Sequence, residues 1–215
     1  MKPSIALCLL VLSGATFHAH GQTEIQLIVN PTFSTRHMTA STEHKEIFNE
    51  VEKGMLSFDA GIMVTPLKFK RVDFSTGLIY SRKGFKWIDG TGRDIDGNEM
   101  DLKVKESINF LEIPVQMRYY CSRNSTDSYL ILGLLNDVFL SSHIKGPGVE
   151  QTQELRKHNI GINFGIGYNF TFSDSLRVAI EPNMKFQTMH LLETSVPAKR
   201  YLYTIGITVN TKFKV

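Results

Sequence analysis

Strict alternation of residue character constrains this chain more than any other feature of its sequence. In the last stretch, YLYTIGITVNTKFKV (201–215), the odd-numbered residues are apolar, aromatic or β-branched, while most even-numbered ones are small or polar. A period of two indicates a β-strand, because successive side chains of a strand point to opposite faces. Only the polar segment 42–53 has a pattern compatible with a short helix. The chain is therefore predicted to be all-β.

The same alternation divides the chain into eight predicted strands, at 24–34, 55–66, 71–83, 106–120, 128–141, 158–173, 175–189 and 200–214. Short connections (67–70, 121–127 and Asp174) alternate with longer ones (35–54, 84–105, 142–157 and 190–199). An even number of strands with short turns on one side and long loops on the other is typical of outer-membrane barrels, whose short turns lie in the periplasm. We expect an eight-stranded antiparallel up-and-down transmembrane β-barrel.

The chemistry of the two strand faces predicts which face points inward. In the seventh strand, LRVAIEPNMKFQ, the even-numbered face is apolar and the odd-numbered face carries Arg177, Glu181 and Lys185. The polar faces of the strands are rich in Gly, Asn and Thr, and aromatic residues stand near strand ends on the apolar faces, as in the interfacial girdles of membrane barrels. The apolar face is predicted to meet lipid. The alternative is a secreted, soluble ligand-binding barrel of the lipocalin type, with its apolar face around an internal cavity.

A polar interior would bring charged side chains together inside a narrow barrel. Eight strands leave room only for their own side chains, and an unpaired buried charge costs several kcal/mol. We predict a salt-bridge network that plugs the lumen, with Glu112 and Arg118 among its members; a charge-lined pore or proton path is the functional alternative. The predicted lumen charges are Asp59, Asp73, Glu112, Arg118, Arg177, Glu181 and Lys185.

The N-terminus has the features of an export signal. Lys2 precedes an apolar run from Ile5 to Leu12, and small residues follow at 19–21, so that a signal peptide is predicted at 1–21 and one barrel domain at 22–215. Its removal leaves Cys121 as the single cysteine, which excludes an internal disulfide. The formal net charge of +3 comes from scattered basic residues, and no nucleic-acid partner is expected. The predicted location is the outer membrane.

Two short motifs carry a resemblance to a known family. FLEIPVQMRYY (110–120) and the glycine-rich GINFGIGYNF (161–170), together with the signal peptide, resemble the PorT-like outer-membrane β-barrel family, whose members have a Leu-Glu-Ile-Pro strand at about this place. The resemblance implies an eight-stranded barrel in the outer membrane of a diderm bacterium, and the name-giving member is linked to protein secretion. It implies no catalytic or ligand-binding residues. The chain differs from the usual aromatic ending of such barrels, because it ends in Val215 with Phe213 two residues earlier.

No catalytic, cofactor or metal site is predicted. In the loop DGTGRDIDGNEMD (89–101), Asp94, Asp96 and Asn98 resemble calcium ligands, but the first and last ligand positions hold Gly92 and Lys103, so that a hairpin turn is expected instead. A lipid-modifying enzyme is a third hypothesis. Its candidate residues, scattered in and beside the loops, are Ser141, Ser142, Ser195, His143, His158 and His190.

The expected function is therefore non-enzymatic. We expect a monomeric barrel surrounded by outer-membrane lipid and without a cofactor, acting in partner recognition, secretion or envelope maintenance. Any protein partner would bind at the long loops 35–54, 84–105 and 142–157, because loops on a rigid scaffold commonly carry recognition.

Overall fold

The computed structural model describes residues 23–39, 52–93, 99–122, 127–146, 155–189 and 199–214. The signal peptide predicted at 1–21 lies outside these residues. No helix in the described ranges has the length and apolar character needed to cross a membrane. The elements are eight strands: β1 (Glu24–Thr39), β2 (Glu52–Lys68), β3 (Val72–Arg93), β4 (Glu99–Tyr120), β5 (Ser128–Lys145), β6 (His158–Thr171), β7 (Leu176–Gln187) and β8 (Lys199–Lys214).

The strands form a closed antiparallel barrel. Each strand pairs with the next along the chain, and β8 pairs with β1 along the whole length of both, from Glu24 opposite Lys214 to Thr39 opposite Lys199. Within the closed part of the barrel no strand has a free edge, so that the backbone donors and acceptors there have a neighbouring strand on both sides. The predicted eight-stranded up-and-down barrel is confirmed.

The two ends of the barrel differ. At one end, which we call the turn end, β2–β3, β4–β5 and β6–β7 are joined by the connections 69–71, 121–127 and 172–175. The first of these is closed by a hydrogen bond from the Phe69 N–H to the Val72 carbonyl at 2.8 Å. The first residue of β1 and the last of β8 are also at the turn end. The other end, which we call the loop end, carries the connections that include 40–51, 94–98, 147–154 and 190–198, which lie outside the described residues.

The segment 84–105 is mostly strand, and its prediction as a loop was wrong. β3 continues to Arg93, which lies opposite Glu99 of β4. The last partner of β3 in β2 is Glu52 opposite Trp87, and the pairing of β4 with β5 begins at Lys105. Residues 88–93 and 99–104 therefore form a two-stranded ribbon beyond the described ends of the neighbouring strands. The Asp89-Gly90 pair, which was expected in a turn, lies within β3. β1, β2 and β5 likewise run a few residues further toward the loop end than predicted. Residues 52 and 53 of the predicted helical segment belong to β2.

The outer face of the barrel is apolar and the inner face is polar. Val29 of β1 is 57% exposed, whereas the neighbouring Asn30 is 3% exposed and lies in the lumen. The same contrast recurs in β8, where Val209 is 44% exposed and Asn210 is 0% exposed. The apolar face does not surround an internal cavity, which contradicts the lipocalin-type alternative.

Candidate functional site

A cluster of five charged side chains occupies the centre of the lumen; this central cluster consists of Asp59, Lys83, Glu112, Asp137 and Lys185, each from a different strand. Lys185 Nζ lies 2.6 Å from Glu112 Oε1 and 2.8 Å from Asp59 Oδ2. Lys83 Nζ lies 2.6 Å from Asp137 Oδ2 and 3.3 Å from Glu112 Oε2. Glu112 therefore joins the two lysines into one network.

Neutral donors also contact the carboxylates of the central cluster. Ser81 Oγ donates to Asp59 Oδ1 at 2.6 Å, and Asn30 Nδ2 donates to Asp59 Oδ2 at 2.9 Å. Gln187 Nε2 donates to Asp137. Three carboxylates face two ammonium groups in this cluster, and the additional hydrogen bonds offset part of the uncompensated negative charge.

A second group of charges lies nearer the turn end. We call Arg118, Glu181 and Lys212 the turn-end cluster; Glu181 Oε1 lies 3.5 Å from Arg118 Nη2 and 3.8 Å from Lys212 Nζ. Tyr129 Oη donates to Glu181 Oε1 at 2.5 Å. Arg118 also donates to Gln26 Oε1 at 2.8 Å. These contacts join strands from opposite sides of the barrel.

The predicted lumen charges are thus divided among separate groups. Asp59, Glu112 and Lys185 lie in the central cluster, and Arg118 and Glu181 lie in the turn-end cluster. Two others lie closer to the turn-end mouth. Arg177 pairs with Glu24 at 2.9 Å, and Glu24 also pairs with Lys68 at 3.0 Å. Asp73 accepts a hydrogen bond from Tyr120 Oη at 2.7 Å.

Sequence reasoning omitted Lys83, Asp137 and Lys212 from the charge network. Lys83 is at the predicted end of its strand but lies inside the observed β3. Asp137 belongs to the fifth strand, whose two faces are both apolar in the sequence, so that its inward side was ambiguous. Parity places Lys212 with Asn210 on the lumen side of its strand, as the sequence predicts, but Lys212 was not counted among the network charges. Parity could also have identified Lys83, which shares the polar face of its strand with Ser81.

The loop end of the lumen is closed by an apolar cap, formed by Phe85, Ile108, Phe110 and Leu202 with Trp87, Phe139 and Leu155 packed against them. The Arg36 guanidinium lies 3.8 Å from the centre of the Phe85 ring and 4.9 Å from that of Trp87. Arg36 also pairs with Glu52, to which Trp87 Nε1 donates at 3.3 Å. The cap and its ion pair cover the side of the lumen that faces the loops.

The described side chains leave little free space in the lumen. A cavity of about 20 Å³ lies beside Ile28, Met63 and Lys185 and also touches Glu181 of the turn-end cluster. A volume of this size accommodates about one water molecule. In the described part of the lumen, the charged pairs therefore join strands that are not neighbours in the sheet.

The candidate enzymatic residues are not brought together. Ser141 Oγ accepts a hydrogen bond from Asn109 Nδ2 at 2.9 Å, and among Ser141, Ser142, His143 and His158 no hydrogen bond joins a serine to a histidine. Ser195 and His190 lie outside the described residues, as do Asp94, Asp96 and Asn98 of the rejected calcium loop. In the described ranges no three His, Cys, Asp or Glu side chains are grouped so that they could hold a metal ion.

No protein-family model matches the chain, and no curated protein matches it. Solved structures with similarity include neisserial surface protein A, at 10% identity and a TM-score of 0.46, covering 90% of this chain and 97% of that one. Outer membrane protein OprG from Pseudomonas aeruginosa shares 9% identity, covers 91% and 97% of the two chains and has a TM-score of 0.48. Outer membrane protease OmpT from Escherichia coli shares 8% identity, covers 92% and 98%, and has a TM-score of 0.42.

Proposed function

We propose that this protein is a closed, non-conducting outer-membrane barrel that acts as a rigid anchor and presents its loop end for recognition outside the cell. It is monomeric, uses no cofactor and catalyses no reaction. The observation that carries the proposal is the combination of an apolar outer wall with a lumen filled by paired charges. A soluble barrel would have the opposite arrangement, because water favours polar groups outside.

The outer wall fits a bilayer. Leu130, Leu132 and Leu134 follow one another along the outside of β5 with exposures of 50%, 45% and 62%. Comparable apolar residues occur on the outer face of the other strands. The apolar surface that these residues form together is larger than the apolar patches that soluble monomers expose. Exposed aromatic side chains gather at the turn end, as in an interfacial girdle: Phe69, Tyr119, Phe172 and Phe213. The short connections there favour the periplasm as the location of the turn end.

The filled lumen argues against a channel. Any ion that crossed would have to break the pairs of Lys185 and Lys83 with their carboxylates and then pass the apolar cap. Breaking a buried ion pair leaves an uncompensated charge and costs about 3–5 kcal/mol. The charges therefore serve to hold the barrel closed and in register.

The ribbon formed by residues 88–93 and 99–104 is the candidate recognition element. It extends beyond β2 and β5 by six residues of each strand, about 20 Å at the usual rise per residue. The ribbon thus offers a protein partner two paired strands at the loop end. The resemblance to the PorT-like family supports a partner in secretion or envelope maintenance.

Two measurements test the membrane assignment. Detergent-extracted protein from the membrane fraction should migrate differently on a denaturing gel with and without boiling, because a closed barrel stays folded in the unboiled sample. The folded protein should produce no discrete conductance steps in a planar lipid bilayer. Recovery from the soluble periplasm without a gel shift would refute the barrel's membrane location, and stable conductance steps would refute a plugged lumen.

The recognition role is tested by shortening the ribbon. Removal of residues 89–101 should abolish co-purification of a partner in mild detergent while the gel shift is retained. Co-purification that survives the deletion would exclude the ribbon as the binding element.

The absence of catalysis is tested separately by replacing the six candidate serines and histidines, which should leave the modification of outer-membrane lipids in cells unchanged.

A further inference from the structure

A row of four lysines crosses the outer wall at the loop end, one on each of the strands β2 to β5. Lys53 lies opposite Lys86, Lys86 opposite Lys105, and Lys105 opposite Lys145. Neighbouring strands are about 4.8 Å apart, so that this lysine row is about 14 Å long. The row is long enough to meet two anionic groups of one molecule.

Two β-bulges turn the ends of the row outward. The register of β2 against β3 shifts between Gly54 and Phe58, and that of β5 against β4 shifts next to Phe110. A bulge adds one residue to a strand, so that beyond it the outward-facing residues change from even to odd numbers or from odd to even. Lys53 and Lys145 are therefore exposed on the outer wall, although they are odd-numbered like Asp59 and Asp137, which point into the lumen.

A polar groove of about 280 Å³ adjoins the lysine row on its turn-end side; its lining consists of Tyr80, Arg82, Lys105, Ser107, Asn109, His143 and Lys145. Arg82 Nη2 donates to Ser107 Oγ at 3.2 Å, and Tyr80 Oη donates to Asn109 Oδ1 at 2.9 Å. The lining contains cations, hydroxyls and an amide, but no carboxylate. Such a set of donors fits an oxyanion.

The positive charge of this surface is not neutralised by the described part of the chain. None of Lys53, Lys86, Lys105 and Lys145 forms an ion pair with a described acidic residue. Like charges directly opposite one another on neighbouring strands repel and are destabilising. The arrangement gains most from a bound anion that lies across several strands.

The wall below the groove is suited to hydrocarbon. Toward the turn end, the outward residues of β4 change to Leu111, Ile113 and Val115. An apolar hollow of about 420 Å³ lies between Phe74, Val115, Leu132 and Ile162, and it begins about 20 Å along β4 from Asn109. A basic groove above an apolar hollow on the same strands matches an amphiphile with an anionic head and acyl chains.

We propose that the lysine row and its groove bind the phosphate groups of an outer-leaflet lipid of the lipopolysaccharide class. The lysines and Arg82 hold the phosphates, and Ser107, Asn109 and Tyr80 bond to hydroxyls of the sugar head group. The acyl chains follow the apolar wall of β4 and β5. This inference rests on the proposed function, because only a barrel in the outer membrane presents the row to that leaflet.

Native mass spectrometry of the folded, full barrel in a nonionic detergent tests the proposal. The gel shift on boiling is checked first, so that failure of the membrane-barrel assignment is recognised independently of lipid binding. The probes are bisphosphorylated lipid A, the same lipid with its phosphates removed, and inorganic phosphate. One lipid A molecule should remain bound, the dephosphorylated lipid should bind at least about tenfold more weakly, and inorganic phosphate should not displace lipid A.

Two matched double variants test whether lipid A binds at the lysine row. Lys86→Gln with Lys105→Gln should weaken lipid A binding roughly tenfold or more. Lys70→Gln with Lys214→Gln removes the same charge from exposed positions at the turn end and should leave binding unchanged. Equal binding by the two double variants, equal binding of phosphorylated and dephosphorylated lipid, or displacement by inorganic phosphate would overturn the proposal in a barrel that shows the gel shift.

Discussion

Lys185 and Glu112 form a 2.6 Å ion pair across the lumen, between β7 and β4, two strands that are not neighbours in the sheet. Sheet hydrogen bonds join each strand only to its two neighbours, whereas this pair braces the barrel through its interior. The same ammonium group also reaches Asp59 of β2. The desolvation of two buried charges offsets most of the attraction between them, so that such a pair adds little net stability. We expect its main effect to be that other registers of the strands, which would separate the charges, are disfavoured.

Replacement of Lys185 by Met should destabilise the folded barrel by about 3–5 kcal/mol, because it leaves two buried carboxylates without their shared cation. This change is measured by unfolding the barrel with urea in lipid vesicles, with the gel shift as the readout of the folded fraction. Lys214→Met removes an exposed lysine near the turn-end mouth and should alter the free energy of unfolding by less than about 0.5 kcal/mol. Equal stability of the two variants would show that the central cluster does not depend on Lys185.

Gly167→Ala should destabilise the barrel by about 1–3 kcal/mol through overpacking of the lumen. A methyl group on Gly167 would lie 2.3 Å from Cζ of Tyr129, a buried ring whose hydroxyl holds Glu181. In a Tyr129→Leu background the same glycine substitution should cost little, since the ring is gone. A double-mutant cycle from urea unfolding measures the coupling. An equal cost of Gly167→Ala in both backgrounds would contradict this account.

Alternation of residue character was sufficient to predict the architecture, because the period of two survives in nearly every strand. Closure follows from the lipid-facing apolar side, since a sheet edge cannot remain unpaired in a bilayer. It was not sufficient to predict partners across the lumen. Glu112 contacts Lys185, and Arg118 contacts Glu181, because neighbouring strands are shifted relative to one another along the barrel. The alternation of polar and apolar residues does not depend on this shift and therefore does not predict it. The lysine row was hidden for a related reason. The bulges in β2 and β5 turn Lys53 and Lys145 to the outside, whereas simple parity with Asp59 and Asp137 places both in the lumen.

The single tryptophan of the chain reports on the apolar cap. Trp87 lies against Phe85 and donates to Glu52, which also pairs with Arg36. Arg36→Leu removes the cation over both rings and leaves Glu52 unpaired, so that the cap should loosen and quenching of the Trp87 fluorescence by acrylamide should increase. The gel shift should persist, because the central cluster is intact. Lys157→Leu at an exposed position is the control, and identical quenching in both variants would exclude a role of Arg36 in closing the lumen.

Removal of one charge from the lysine row should stabilise the barrel when no anionic lipid is bound. Lys105 has a lysine directly opposite on each side, Lys86 and Lys145, and like charges so placed cost roughly 0.2–1 kcal/mol per pair. Lys105→Gln should therefore raise the free energy of unfolding in nonionic detergent at low salt. The gain should shrink near 1 M salt, where the screening length falls to about 3 Å. Urea unfolding at the two salt concentrations measures both effects, with Lys70→Gln as the control. A loss of stability, or a gain independent of salt, would mean that the lysines do not repel one another, and the row would then have no electrostatic reason to bind phosphate.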